Sequence, residues 1–128
     1  MFRWARVVLF AAFAALPVCA DTYVVLPFSN LSQMPTLDWI GESISDAVRD
    51  TLALQNLPVL DRERRDEGYR QLGIRQDVQL TRATVIKIAE AVDADQVVYG
   101  DVEVTLPYAG APVTEGTIRT SAHVLDLR

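Results

Sequence analysis

The sequence predicts an α/β domain: a single mixed sheet in the order β-α-β-α-α-β-β, with parallel N-terminal strands, a C-terminal antiparallel hairpin and helices packed on the sheet. Three observations carry that expectation. A continuous apolar run, Thr22–Phe28, suits a strand covered on both faces. Two middle segments space their apolar residues at helical intervals, and between them a charged segment opens at the capping residue Asp61 and stops at Gly73. Two C-terminal segments alternate apolar with polar, the period of a strand with one wet face.

Residues 1–20 read as a signal peptide. Arg3 and Arg6 form a positive leader, Val7–Leu16 is an uncharged apolar run, and Val18-Cys19-Ala20 offers short side chains for cleavage before Asp21. The run falls short of the roughly 20 residues that cross about 30 Å of hydrocarbon, and Pro17 interrupts it, so no stable transmembrane segment is expected after cleavage. The expected location is the periplasm. The alternative is a lipoprotein anchored through Cys19, for which Leu16 fits and Val18 stands where Gly, Ala or Ser is usual. With cleavage after Ala20 the mature chain has no cysteine, hence no disulfide, thiol nucleophile or thiolate metal site. Residues 21–128 suffice for one domain with one core.

Thr22–Phe28 is expected as the central strand, with Pro27 ending its ladder and Ser29–Pro35 forming a loop. The first helix runs from Leu37 to about Leu54, burying Leu37, Ile40, Ile44, Ala47, Val48 and Thr51. Thr36 is its cap, and Asp38 and Glu42 complement the exposed amides of its first turn. Trp39 sits one step off the stripe, at the rim against the preceding loop. Leu57–Leu60 is a second strand, joined to the first by a parallel crossover. Asp61 then caps a charged helix that ends at Gly73. Its Arg62, Arg64, Arg65 and Arg70 interleave with Asp61, Glu63, Asp66 and Glu67, which reads as a solvated face of opposite-sign pairs. Thr81 caps a third helix with the stripe Val85, Ile88, Ala89 and Val92, and Ile74, Val78 and Leu80 pin the connection before it. The hairpin strands are Gln96–Leu106, with Val98, Gly100, Val102, Val104 and Leu106 on the apolar side, and Thr117–Leu125, with Ile118, Thr120, Ala122 and Val124. Pro107–Gly116 is the projecting loop between them.

Three segments, Val25–Leu31 (VLPFSNL), Leu37–Ile44 (LDWIGESI) and Ala94–Asp101 (ADQVVYGD), together resemble the TolB amino-terminal-like domain. That domain is shared with FlgO-type, CsgG-like and LpoB-like envelope proteins and is often found with tetratricopeptide repeats. The resemblance spans Tyr23–Leu127 and implies a non-catalytic module that holds partner proteins in the cell envelope. It also implies a helix after the last strand, so the chain is expected to be truncated at its C-terminus, leaving exposed apolar surface or driving self-association.

Charge and chemistry narrow the function further. Losing Arg3 and Arg6 deepens the net charge from −5 to −7, and an acidic domain without a basic cluster lacks the phosphate-neutralising attraction that nucleic-acid binding needs. His123 is the only histidine, falls on the polar face of the last strand, and has no strained serine elbow to serve. The scattered glycines form no phosphate-binding fingerprint. Asp93 and Asp95 flank a helix-to-strand turn that they support locally, while Asp101 and Glu103 share a wet strand face without calcium-loop spacing. No catalytic residue, cofactor or metal is therefore expected. The function read from the sequence is that of an exported protein-binding or scaffold module, with small-molecule or nucleotide sensing as the alternative. Leu31, Met34, Trp39 and Tyr108 are the expected contact residues, and a free sheet edge is expected to accept another strand or a second copy.

Overall fold

The structure, a computed structural model, describes residues 20–128. The expected leader up to Cys19, and with it the lipid-attachment alternative, lies outside the described residues.

The apolar N-terminal run is split in two. It forms β1, Tyr23–Val25, and after a break at Leu26–Phe28 a short β2, Ser29–Asn30. Both pair in parallel with one edge of β3, Gln96–Thr105, with Val25 opposite Val98 and Ser29 opposite Asp101. The first strand thus spends one residue more than β3 between those pairs, and it does so around Pro27, which has no N–H to give a ladder. On either side the backbone stays attached. The Leu26 amide donates to the Val98 carbonyl at 2.9 Å and the Leu31 amide to that of Val102 at 2.8 Å. Pro27 therefore interrupts the ladder instead of ending it, and Ser29–Asn30 belong to a strand, not to the expected loop.

The central strand is β3, not the N-terminal run. Its second edge pairs antiparallel with β4, Thr117–Asp126, through the whole length of both strands. Leu57–Leu60, expected as a full strand, contributes one parallel bridge between Val59 and Tyr23. The predicted mixed sheet with parallel N-terminal pairing and a C-terminal hairpin is otherwise the one observed.

Helices lie on both faces of the sheet. On one, α2 (Arg62–Leu72) and α3 (Arg82–Ala91) press Tyr69, Val85, Ile88, Ala89 and Val92 against Val24, Leu26 and Val97. On the other, Leu37 and Ile40, at the start of α1 (Asp38–Leu54), cover Val102 and Val104. Val97 and Val102 differ in parity along β3, which assigns the two clusters to opposite faces. A helix is about 10 Å across and strands are about 4.8 Å apart, so α1 alone covers about two strands. It covers the first strand and β3, and the corresponding face of β4 stays bare. Ile118, Thr120, Ala122 and Val124, expected on a buried side, are exposed, Ile118 by 56% and Val124 by 63%.

The end signals of α2 and α3 are those the sequence predicts. Asp61 accepts from the Arg64 amide at 2.8 Å, Gly73 closes α2 at φ 62°, and Thr81 accepts from the Thr84 amide at 3.3 Å. Ile74 and Leu80 pin the intervening loop, whereas Val78 is 47% exposed and does not. The start of α1 differs from expectation. A short 3₁₀ turn, Pro35–Leu37, leads into it and Thr36 caps nothing. Its buried face is also rotated, with Gly41 and Ser45 buried where Ala47 and Thr51 were expected and are instead exposed. The reason is close contact with the strand break. A Cβ at Gly41 would lie 2.0 Å from the Phe28 carbonyl oxygen, and the Phe28 amide donates to the Gly41 carbonyl at 3.3 Å.

The charged face of α2 hides one fully buried cation. Arg65 is 2% exposed and not solvated as its neighbours are. Its guanidinium donates to Glu42 of α1 at 2.9 Å and, from two nitrogens, to Asp66 at 2.9 and 2.8 Å, and it lies 3.4 Å from the Ser45 hydroxyl. Gln76 also donates to Asp66, at 2.8 Å, and Arg62 pairs with Glu42 at 3.1 Å. Burial works against the Arg65 charge, but the hydrogen bonds to Glu42 and Asp66 outweigh it and hold the group above its ordinary range. Asp95 is likewise more than a local turn support. Its carboxylate accepts from the Thr22 amide at 2.9 Å and its carbonyl from the Leu127 amide at 3.0 Å, joining the ends of β1, β3 and β4.

Two predictions follow from these groups. Arg65→Met keeps the bulk but leaves Glu42 and Asp66 with only the more exposed Arg62 as their cation, which is expected to cost about 1–3 kcal/mol in urea unfolding. Burial, only partly offset by the nearby Arg65 charge, pushes the Tyr69 phenol well above its ordinary value. Its neutral form is the one the fold favours, so its stabilisation is complete below about pH 10 and is lost as pH climbs towards the folded-state value. Urea titrations should show stability falling above about pH 10, with a shallower fall in Tyr69→Phe.

Candidate functional site

The loop that follows β2 is ordered by one side chain. The amide nitrogen of Asn30 donates to the Met34 carbonyl at 3.1 Å and to the Asp38 carboxylate at 2.7 Å, while its side-chain oxygen accepts from the Ser32 amide at 2.9 Å. Ser32 in turn accepts from the Val104 amide at 2.7 Å, so its hydroxyl takes over from the strand backbone where β2 stops. The loop is thereby tied to α1 at one end and to β3 at the other. Leu31 is left 43% exposed, and Met34 packs half-buried beside Leu37 and Ile40.

Facing this loop is the base of the hairpin connection. Tyr108 opens a turn that the Ala111 amide closes by donating to the Tyr108 carbonyl at 3.1 Å. Gly110 stands in its third position at φ 85°, a backbone angle that glycine adopts without strain. Ala111 is buried and anchors the turn, while Tyr108 is 61% exposed. Between the two loops runs an open groove of about 450 Å³, lined by Leu31, Met34, Tyr108, Glu103, Val104 and Leu106 among others. Three of the four expected contact residues, from two distant segments, thus meet on one surface. Trp39 does not line it. It is 62% exposed on the first turn of α1, so the packing expected against the preceding loop covers little of it.

The remaining candidate groups stay apart. His123 lies exposed on β4 with its ring 5.4 Å from that of Tyr99, on the polar face as expected. Among the described residues no three His, Cys, Asp or Glu side chains converge on a point that could hold a metal ion. Hollows elsewhere are small or already satisfied. The cup beside Phe28 and Glu42 and the one beside Tyr99 and His123 each hold about 240 Å³. A larger one on α2, about 600 Å³, is lined by Arg62 and Arg70, which are already paired with Glu42 and Glu67. The sequence reading missed Asn30 as the organiser of the loop and Arg65 as a buried partner of α1. The pairing of Asn30 with Asp38 eight residues on has no periodic signature, and Arg65 is indistinguishable in composition from the arginines beside it.

No family model matches the sequence, and no curated protein matches it. Solved structures with a similar fold include the C-terminal domain of LpoB from Salmonella enterica, with a TM-score of 0.51 and 18% identity, covering 84% of this chain and 83% of that one. The structure of LpoB from E. coli gives 0.56 and 19%, covering 80% of this chain and 48% of that one, so this chain spans about half its length. Lipoprotein GNA1162 from Neisseria meningitidis gives 0.56 and 22%, covering 83% and 72%. At these identities the likeness is one of fold. It agrees with the LpoB-like part of the resemblance read from the motifs; the TolB label and the association with tetratricopeptide repeats gain nothing from these three structures.

Asn30→Ala removes three hydrogen bonds at once and should loosen the loop without unfolding the sheet. The expected loss is about 1–3 kcal/mol of stability. Amide hydrogen exchange should accelerate at Ser32 while remaining slow at Val97 and Val98; unchanged exchange at Ser32 would contradict the assigned role.

Proposed function

We propose that the chain is a non-catalytic protein-binding module of the cell envelope, exported by its leader, that takes its partner in the groove formed by Leu31, Met34 and Tyr108. The observation that carries this reading is the convergence of those three side chains on backbone already fixed by Asn30, Ser32 and Ala111. An exposed tyrosine on a rigid turn presents a large contact area at little entropic cost, which is how binding anchors work. Trp39 supplies a second exposed aromatic on the neighbouring helix.

The envelope address rests on Arg3, Arg6 and the Val7–Leu16 run, and the fold shared with LpoB and with a protein named a lipoprotein supports it. We read the domain as of the TolB amino-terminal-like type on the strength of its three motifs. Release into the periplasm and lipid attachment at Cys19 differ in mass and in fractionation, so mass spectrometry of the mature chain separates them. Among the described residues no helix is long and apolar enough to cross a membrane. Small-molecule sensing has less to rest on, because the cups beside Phe28 and beside Tyr99 fall below the roughly 300 Å³ at which ligand pockets begin, and the larger hollow on α2 is lined by arginines already paired with Glu42 and Glu67.

The test is co-purification from envelope extract with the wild-type chain and with a Leu31→Ser, Tyr108→Ala double variant. Truncating an interface anchor costs about 2 kcal/mol or more, roughly thirtyfold in Kd, and both residues are exposed enough to leave the melting temperature within about 2 °C. Retention of the same partners by the variant removes the groove from consideration. A thermal shift on adding nucleotides, absent from a pure scaffold, would favour sensing instead.

A further inference from the structure

Natural sheets blunt their edges with charge, proline, bulges or cover. The outer edge of β4 has little of this. Among the described residues β4 pairs with β3 alone, it runs unbroken from Thr117 to Asp126, it contains no proline, and its formal charges are Arg119 and, at the last position, Asp126. Its bare face carries Ile118 and Val124, both more than half exposed. A long, unbroken, weakly charged edge of this kind is a template for another strand.

The residues of β4 are complementary to themselves. In an antiparallel pair related by a two-fold axis, opposite residues lie on the same face, so only registers whose opposed positions have the same parity are available. Centred on Ser121, such a pair sets Ile118 of each copy against Val124 of the other and Thr120 against Ala122, all on the bare face. On the other face Ser121 meets itself and Arg119 meets His123. Shifting the centre to Ala122 sets Ile118 against Asp126 and separates the two apolar residues. The Ser121 register is therefore selected by side-chain pairing, since apolar branched residues directly opposite stabilise a sheet and an apolar residue opposite a carboxylate does not. It also opposes no two like charges, which matters for a chain of net charge −5.

We infer that β4 docks a second copy of this chain, edge to edge and antiparallel about Ser121, giving a continuous sheet across the dimer. The surface is separate from the Leu31–Tyr108 groove, so the inference stands or falls independently of it. Analytical ultracentrifugation of the purified chain should show a monomer–dimer equilibrium. Ile118→Lys and Val124→Glu, each alone, should weaken dimerisation at least tenfold with little change in melting temperature, because both sites are exposed. An equimolar mixture of the two variants should recover a heterodimer, since only the Ser121 register sets position 118 against position 124 of the other copy. In a Cys19→Ala background, Ser121→Cys should form a disulfide-linked dimer on mild oxidation and Thr117→Cys should not. A chain that stays monomeric at millimolar concentration, or a dimer indifferent to both charge variants, overturns the assignment; a dimer weakened by them but not recovered by mixing overturns the register.

Discussion

The fold turns on the close approach of α1 to the interrupted first strand. Because Gly41 has no side chain, the helix backbone can sit against the Phe28 peptide at the break around Pro27. A helix kept at the ordinary distance by a β-carbon would stand off the sheet. Everything on that side of the molecule is measured from this contact. Asp38, one turn before Gly41, reaches Asn30 just past the break, and Glu42, one residue after it, reaches Arg65 on α2. A single face of α1 therefore touches the strand, the loop and the neighbouring helix in succession.

That arrangement explains why a buried arginine is tolerated. The ladder beside β1 is closed by only one bridge from Val59, which leaves the break flanked by helices instead of by another strand. A guanidinium is large enough to span the space between α1 and α2 and has donors enough to satisfy carboxylates from both. Removing such a charge from water is costly, and the hydrogen bonds to Glu42 and Asp66 offset that cost only together. The network is better regarded as fixing the relative position of the two helices than as a net source of stability.

The sequence made the architecture legible wherever periodicity carried the information. Val85, Ile88, Ala89 and Val92 are buried as their spacing indicates, Asp61 and Thr81 start and Gly73 ends the helices expected of them, and the alternation from Gln96 marks a hairpin strand, though not its central place in the sheet. It failed where contact depends on the absence of a side chain or on distant partners. A search for apolar stripes cannot see a face made of Gly41 and Ser45, and the alternation in β4 is real although no helix is present to cover it. Of the expected contact residues that meet in the groove, Met34 and Tyr108 were identifiable as a polarisable and an aromatic side chain in loops, and Leu31 as an apolar residue in a polar loop. Their convergence was not, because it depends on the parallel register of β2 with β3 and on the reach of Ser32 to Val104.

The tie made by Asp95 also fixes how the molecule can be moored. Thr22, at the entrance to β1, and Leu127, just past β4, are both bonded to it at the Gln96 end of the central strand, and Arg128 pairs with Asp21 there. The groove opens at the opposite end of the same strand, roughly 30 Å away at about 3.3 Å per residue. A tether leaving from Asp21 and a chain continuing from Arg128 would depart side by side, as from the stem of a bracket. Were the stem held at a surface, the proposed groove would point outward, clear of it.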